Sequence, residues 1–343
     1  MTIGSPHDQQ PAHRIPLSVL DLAMVPAGSS STDALQATTA LAVEAERLGC
    51  HRFWVAEHHN MDTVASTSPP VLMAHLAAST ARIRVGSGGV MLPNHAPLVV
   101  AEQFALLESL HPGRIDLGVG RAPGTDRETA LALRGTADNR DAEDFPRHLI
   151  DVMGLLGDPR TERGLWDRFV ATPQLTSSPS VILLGSSGFS AQLAGVLGIP
   201  FAFAHHFDMG GTVEAIALYR EYFEPSKVLT EPYVIVTAST IAAKSAEEAD
   251  HLAGPAKLRR YGMGRGRLLP LLSPAEAVDH PDFEAALAAP TSALLGTGEG
   301  VAAGLADLAD RTGASELMLY IPTHGLAERI DSLAAVADAW ARR

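Results

Sequence analysis

Glu57-His58-His59-Asn60 follows the short apolar run Arg52-Phe53-Trp54-Val55-Ala56. A carboxylate and two adjacent imidazoles directly behind a strand-like segment leave three chemistries open: a metal site, an acid/base pair, or ordinary loop polarity. Metal binding fits poorly, because adjacent side chains at a strand end point in opposite directions and no helical H-E-x-x-H accompanies them. The same objection applies to His205-His206. A second chemistry is carried by Gly185-Ser186-Ser187-Gly188-Phe189-Ser190, whose small residues and hydroxyls sit where a helix begins. Free backbone N–H groups and the helix dipole favour an anion there, and Arg121 is a bidentate cation suited to a phosphate. Such a loop also serves merely to cap a helix. Gly88-Gly89 ends another apolar run, which either lets the backbone approach a flat ring or marks a simple bulge.

These residues need a scaffold that gathers strand ends. Apolar runs recur at 15–22, 52–56, 83–88, 115–119, 180–184, 200–204, 233–240 and 316–321, several of them apolar without alternation, as in parallel strands covered on both faces. Helical patterns run at 33–48, 69–80, 97–110, 143–157, 188–198, 212–224, 299–312 and 326–342, with start signals at Ser31 or Thr32, at Ser68-Pro69 and at Pro97. Regular alternation of eight strands with eight helices predicts a (β/α)8 TIM barrel, in which chemistry collects at the carboxyl ends of the strands. A flexible tail is expected at 1–14 and a single barrel domain over 15–343. Two connections, 158–179 and 244–298, are too long for a plain barrel, and the second is expected to be a lid-like insertion.

A chain of 343 residues that is 46% hydrophobic can bury a large core, and its net charge of −13 argues against nucleic acid or an anionic membrane as partner. Arg259, Arg260, Arg265 and Arg267 cluster among glycines and read as a lid or a solvated loop. The single cysteine, Cys50, closes no intrachain disulfide and reads as a small core residue, which suits a reducing compartment. With no signal-peptide core in the first fourteen residues and no unbroken apolar span, the expected location is cytoplasmic.

The run VGSGGVMLPNHAPLVVAEQFALLESLHPGRIDLGVGRAPG (85–124), with WVAEHHN (54–60) before it and LLGSSGFSAQLAG (183–195) after it, resembles the bacterial luciferase-like flavin-dependent monooxygenases. The resemblance covers most of 15–340 and fades across 244–298. It implies reduced FMN bound at the strand carboxyl ends and O2 activation through a flavin C4a-peroxide that oxygenates a small organic substrate. It further implies that His58 is the catalytic acid/base group beside the ring and that Glu57 buttresses the loop. Gly88 and Gly89 would be joined by a cis peptide beneath the ring. Arg121 with Ser186, Ser187 and Ser190 would hold the phosphate. On this placement the cofactor set is Glu57, Gly88, Gly89, Val90, Gly120, Arg121, Gly185, Ser186, Ser187, Gly188, Phe189 and Ser190. The substrate pocket takes His59, His205, His206 and Met91, and no metal is called for. Where bacterial luciferase has a carboxylate in the phosphate loop this chain has Ser186, and where it has a cysteine near the reactive flavin carbon this chain has Gly120. Both departures weaken any expectation of light emission. GVGRAPG lacks the G-x-G-x-x-G dinucleotide pattern, so a separate flavin reductase is the expected source of reduced FMN. A family branch using the deazaflavin F420 is the alternative, as are a non-catalytic flavin-binding protein and a flavin-free barrel hydrolase. Barrels of this family pair through outer helices, which implies a homodimer, and the apolar helices 69–80 and 97–110 are the expected contact.

Overall fold

The computed structural model describes residues 15–122, 124–134, 144–207 and 210–343. The expected N-terminal tail, 1–14, lies outside the described residues. Eight parallel strands close a barrel: β1 (Leu17–Asp21), β2 (Arg52–Val55), β3 (Arg84–Ser87), β5 (Ile115–Gly120), β6 (Ser180–Gly185), β7 (Phe201–Phe203), β8 (Val234–Ala242) and β10 (Glu316–Tyr320), with β10 hydrogen-bonded to both β8 and β1. The other two strands are short. β4 (Val90–Met91) resumes pairing with β5 after the Gly88-Gly89 step, and β9 (Leu294–Gly296) pairs with the far end of β8, where Thr240 faces Leu294.

The interior is filled by inward side chains, among them Leu20, Trp54, Ile182, Ala202, Ile235 and Met318. The outward faces of the strands pack against the helices in one continuous core that includes Phe53, Val85, Leu117, Leu183, Val236 and Leu317. This two-sided burial accounts for the unbroken apolar runs of the strands. Around the barrel lie α1 (Ser31–Arg47), α2 (Pro69–Ser79), α3 (Pro97–Leu110), α4 (Arg127–Arg134), α5 (Phe145–Leu155), α6 (Gly188–Leu197) and α7 (Thr212–Glu221). The cap of α1 is Ser30, one residue before the expected start. Its hydroxyl accepts from the Asp33 N–H while the Asp33 carboxylate accepts from the Ser30 N–H, a reciprocal capping box. Both α2 and α3 begin on proline, whose fixed φ suits the first turn.

The amino ends of the strands are joined by buried charges. Arg52 donates to Asp116 and to Glu316 at 2.8 Å each, Arg84 reaches Asp116 at 2.6 Å, and the Trp54 indole N–H donates to Asp116 at 3.0 Å. Tyr233 donates to the other oxygen of Glu316. This network closes the floor of the barrel, leaving the opposite mouth for chemistry.

The segment 244–298 is not an open loop. It forms the long helix α8 (Ala246–Met263), two single-turn helices, α9 (Pro274–Val278) and α10 (Phe283–Leu287), and β9, before α11 (Gly298–Thr312), β10 and α12 (Leu326–Ala341) complete the chain. Leu258, Ala277, Phe283 and Ala286 give it a small core of its own. Of Arg259 and Arg260, the expectation of a solvated loop is therefore corrected for Arg259, whereas Arg260 is exposed. Both lie on α8, and Arg259 is 9% exposed, because its face of the helix turns toward the barrel mouth and not to solvent. No helix among the described residues is long and apolar enough to cross a membrane.

Candidate active site

Two adjoining cavities open at the carboxyl ends of the strands. The smaller, about 190 Å³, is lined by Trp54, Gly88, Gly89, Met91, Gly120, Arg121, Gly185, Ser186, Ser187 and Ser190, among others. The larger, about 470 Å³, lies between the barrel mouth and α8, and its walls include Met24, Met61, Val64, Ile241, Met263 and Leu271. The two share Leu22, His58, His206 and Phe207, so the imidazoles stand at their junction.

Backbone packing shapes the smaller cavity. The Gly88–Gly89 peptide is cis. A Cβ on Gly88 would sit 2.8 Å from Leu20 Cδ1, and one on Gly89 would sit 2.8 Å from the Gly118 carbonyl oxygen. At Gly89 the obstacle is backbone and only glycine fits, whereas at Gly88 it is the end of a leucine side chain. Opposite, Ser187 is the N-cap of α6, and its hydroxyl makes no capping bond, which leaves it and the first N–H groups of the helix for a ligand. The Arg121 guanidinium lies over the Phe189 ring, 4.2 Å from its centroid, with no carboxylate in ion-pair range among the described residues. A cation, a hydroxyl-rich loop and a helix N-terminus thus converge on one end of this cavity.

Glu57 sits behind the site, fully buried. Its Oε1 accepts from His59 at 2.9 Å and from His95 at 2.8 Å, and its Oε2 accepts from the Met91 N–H at 3.0 Å. Burial alone would raise its pKa, but the hydrogen bonds from His95, His59 and Met91 outweigh it and hold the carboxyl below the usual range. Glu57 therefore pins the loop that carries Met91 and His95 and does not face either cavity. His59 is turned onto Glu57, so the structure does not bring it to the substrate pocket. His205 is likewise engaged elsewhere, with Nδ1 2.8 Å from Thr212 Oγ1. Val90, Gly188 and Phe189 lie just outside the lining, with Phe189 acting through Arg121.

His58 and His206 are different. Each has a buried Nδ1 with no hydrogen-bond partner among the described residues. Burial pulls the His58 pKa below its ordinary value, helped by the positive charge of Arg259 and opposed by Glu57. Burial pulls His206 down to about 4, against a hydrogen bond with the Thr237 backbone and with a small contribution from His205. Both imidazoles are neutral at neutral pH, each able to donate through one nitrogen and accept through the other. Two unsatisfied nitrogens beside a glycine-walled slot, with an anion-binding end opposite, fit a flat polar heterocycle that bears a phosphate arm. Among the described residues no group of three or more His, Cys, Asp or Glu side chains gathers as a metal site.

Sequence reasoning did not place Trp54 or Arg259 near the site. Trp54 reads as a strand core residue and is one, and nothing in the residues around Arg259 signals that its face is buried.

The family model described as luciferase-like monooxygenase matches residues 15–316. The chain belongs to the luciferase-like monooxygenase family. It is 42% identical over 311 residues, 89% of this chain and 91% of the relative, to a luciferase-like monooxygenase of Escherichia coli strain K12. Against an N-acetyl-S-alkylcysteine monooxygenase of Bacillus subtilis strain 168 it is 40% identical over 238 residues, 69% and 70% of the two chains. The solved structure of apo-MsnO8 superposes with a TM-score of 0.85 at 34% identity, covering 96% of this luciferase-like chain and 98% of that one. The same barrel recurs at 18% identity and TM-score 0.71 in the oxygenating component of 3,6-diketocamphane monooxygenase from Pseudomonas putida, in complex with FMN. It recurs at 16% identity and TM-score 0.66 in an F420-dependent secondary alcohol dehydrogenase. At that distance the likeness is one of fold.

Acid should loosen this luciferase-like fold through His206. In the unfolded chain the imidazole takes up its proton near an ordinary pKa of about 6.5, whereas the folded one resists until about 4. The folded pKa is the depressed one, so falling pH favours unfolding through that window, and the full effect of one such group is about 3 kcal/mol. Denaturant midpoints between pH 7 and pH 4 should fall less steeply for His206→Gln than for the parent. Parallel lines for the two proteins would remove His206 from the acid response.

Proposed function

We propose that the protein is an FMN-dependent monooxygenase acting on a small organic substrate, with reduced FMN supplied by a separate flavin reductase. The observation that carries this reading is the pair of cavities joined at His58 and His206: one glycine-walled with an anion-binding end, the other roofed by α8. Reduced FMN, when bound, supplies O2 activation and the transfer of one oxygen atom to the substrate. The protein's part is to bind, orient and exclude water. Arg121, Ser186, Ser187, Ser190 and the first N–H groups of α6 hold the phosphate. Gly88 and Gly89 offer backbone close to the ring, and Trp54 lines the same cavity. His58, kept neutral by burial, holds or delivers a proton at the junction of the two cavities. The apolar walls of the larger cavity and the α8 roof keep water from the reacting centre. Exposed Val71, Val99, Leu106 and Leu110 on α2 and α3 support a homodimer that pairs across these helices.

Arg121→Ala tests the assignment. Losing a charged hydrogen-bond partner should weaken FMN binding by about 1.5–3 kcal/mol, read as a shift in the fluorescence titration of FMN with protein. Unchanged affinity would take Arg121 out of the site.

A further inference from the structure

We infer that the larger cavity binds an aliphatic substrate carrying a carboxylate, with Arg259 as the anchor for its negative charge. This rests on reading that cavity as the substrate side of the flavin site. Three cations line it, and among the described residues no Asp or Glu does. Lys257 is engaged by Asp250 at 3.0 Å, and Arg260 donates to Thr291 Oγ1 and the Pro290 carbonyl, both at 3.1 Å.

Arg259 is held differently. It is 9% exposed, yet no carboxylate comes within ion-pair distance of it among the described residues. Its Nη1 donates to Thr63 Oγ1 at 3.3 Å and to the Leu269 carbonyl, which fixes the guanidinium plane, while Nε and Nη2 have no partner among the described residues. Burial pulls its pKa below that of an ordinary arginine, and Asp62 and Tyr320 oppose this only from a distance. An arginine remains charged at neutral pH all the same. A buried cation with no carboxylate in ion-pair contact is costly, and the cost is offset when a ligand brings the opposite charge. The two unused edges form the planar fork that matches a carboxylate in bidentate geometry.

The rest of the cavity sets the remainder of the ligand. Met24, Met61, Val64 and Leu271 give it aliphatic and thioether walls, which suit a flexible alkyl or thioether body. At about 470 Å³ the space is that of a small-molecule pocket. Arg259 lines the same cavity as His58 and His206, so an anion placed on it lies in the same enclosure as the junction imidazoles. In this arrangement Arg259 determines specificity and takes no part in the oxygen chemistry.

Calorimetric titration of the purified full chain with octanoate and with octanamide, with and without FMN, separates charge from shape. The parent should prefer octanoate by roughly tenfold or more, the range for one charged hydrogen-bonded pair. Arg259→Gln should bind the two probes alike. Arg259→Lys, which keeps the charge and loses the fork, should weaken octanoate and leave octanamide unmoved. FMN affinity, measured separately, should match the parent in both variants, which also shows that they fold. Equal binding of the two probes to the parent, a preference that survives in Arg259→Gln, or no binding of either probe would overturn the assignment. Loss of FMN binding by the parent with the octanoate preference intact would instead overturn the flavin reading and leave the anion site standing.

Discussion

Replacing His58 with alanine should leave FMN affinity near the parent value and lower oxygen transfer to substrate by roughly 10²–10⁴-fold, the span of a single acid/base group. The separation is expected because His58 stands at the junction of the two cavities, while the anion-binding end lies with Arg121 and the 185–190 loop. Its buried Nδ1 has no partner among the described residues, so alanine there removes no hydrogen bond made by that nitrogen to them. His59→Ala makes the contrast. His59 is a strut for Glu57, and its loss should soften the loop that carries Met91 with a smaller effect on turnover. Stopped-flow mixing of reduced, FMN-loaded protein with O2 gives a readout that needs no substrate. Flavin reoxidation should follow an altered time course in His58→Ala and a near-parental one in His59→Ala. The reverse pattern would show that the two histidines have each other's roles.

Asp116→Ala should destabilise the fold by about 3–5 kcal/mol, the usual cost of leaving a buried charge without its partner. Asp116 is fully buried and accepts from Arg52, Arg84 and the Trp54 indole. Its removal leaves Arg84 without a carboxylate and Arg52 with Glu316 alone. Asp116→Asn, which keeps one acceptor and the shape, should lose less. Since this network closes the end of the barrel opposite the cavities, FMN affinity should hold in whatever fraction stays folded. Urea unfolding followed by circular dichroism measures the difference, and a midpoint equal to the parent's would contradict the structural role given to the floor.

The barrel was legible because parallel strands buried on both faces leave unbroken apolar runs, and because Pro69 and Pro97 mark helix starts by their own geometry. The strand-end motifs were legible for a related reason: the glycine at 89 answers a steric demand of the neighbouring backbone that any side chain would violate. What escaped is nonlocal. α8 carries Pro255 inside and ends among glycines, so local propensity argues against the 18-residue helix that tertiary packing stabilises. With the helix unseen, the burial of Arg259 had no visible cause. The direction of His59 was equally hidden, because it is set by Glu57, itself fixed by His95, 38 residues downstream of that carboxylate. An alternation rule says that neighbours point apart, not which of them meets the cavity.

Parallel titration of the purified protein with reduced FMN and with reduced F420 tests the central claim most directly. The account predicts that reduced FMN binds, that F420 does not compete with it, and that Arg121→Ala selectively weakens the FMN curve by roughly tenfold or more. Tight binding of F420 with none of FMN, or a protein that takes up neither, would contradict it.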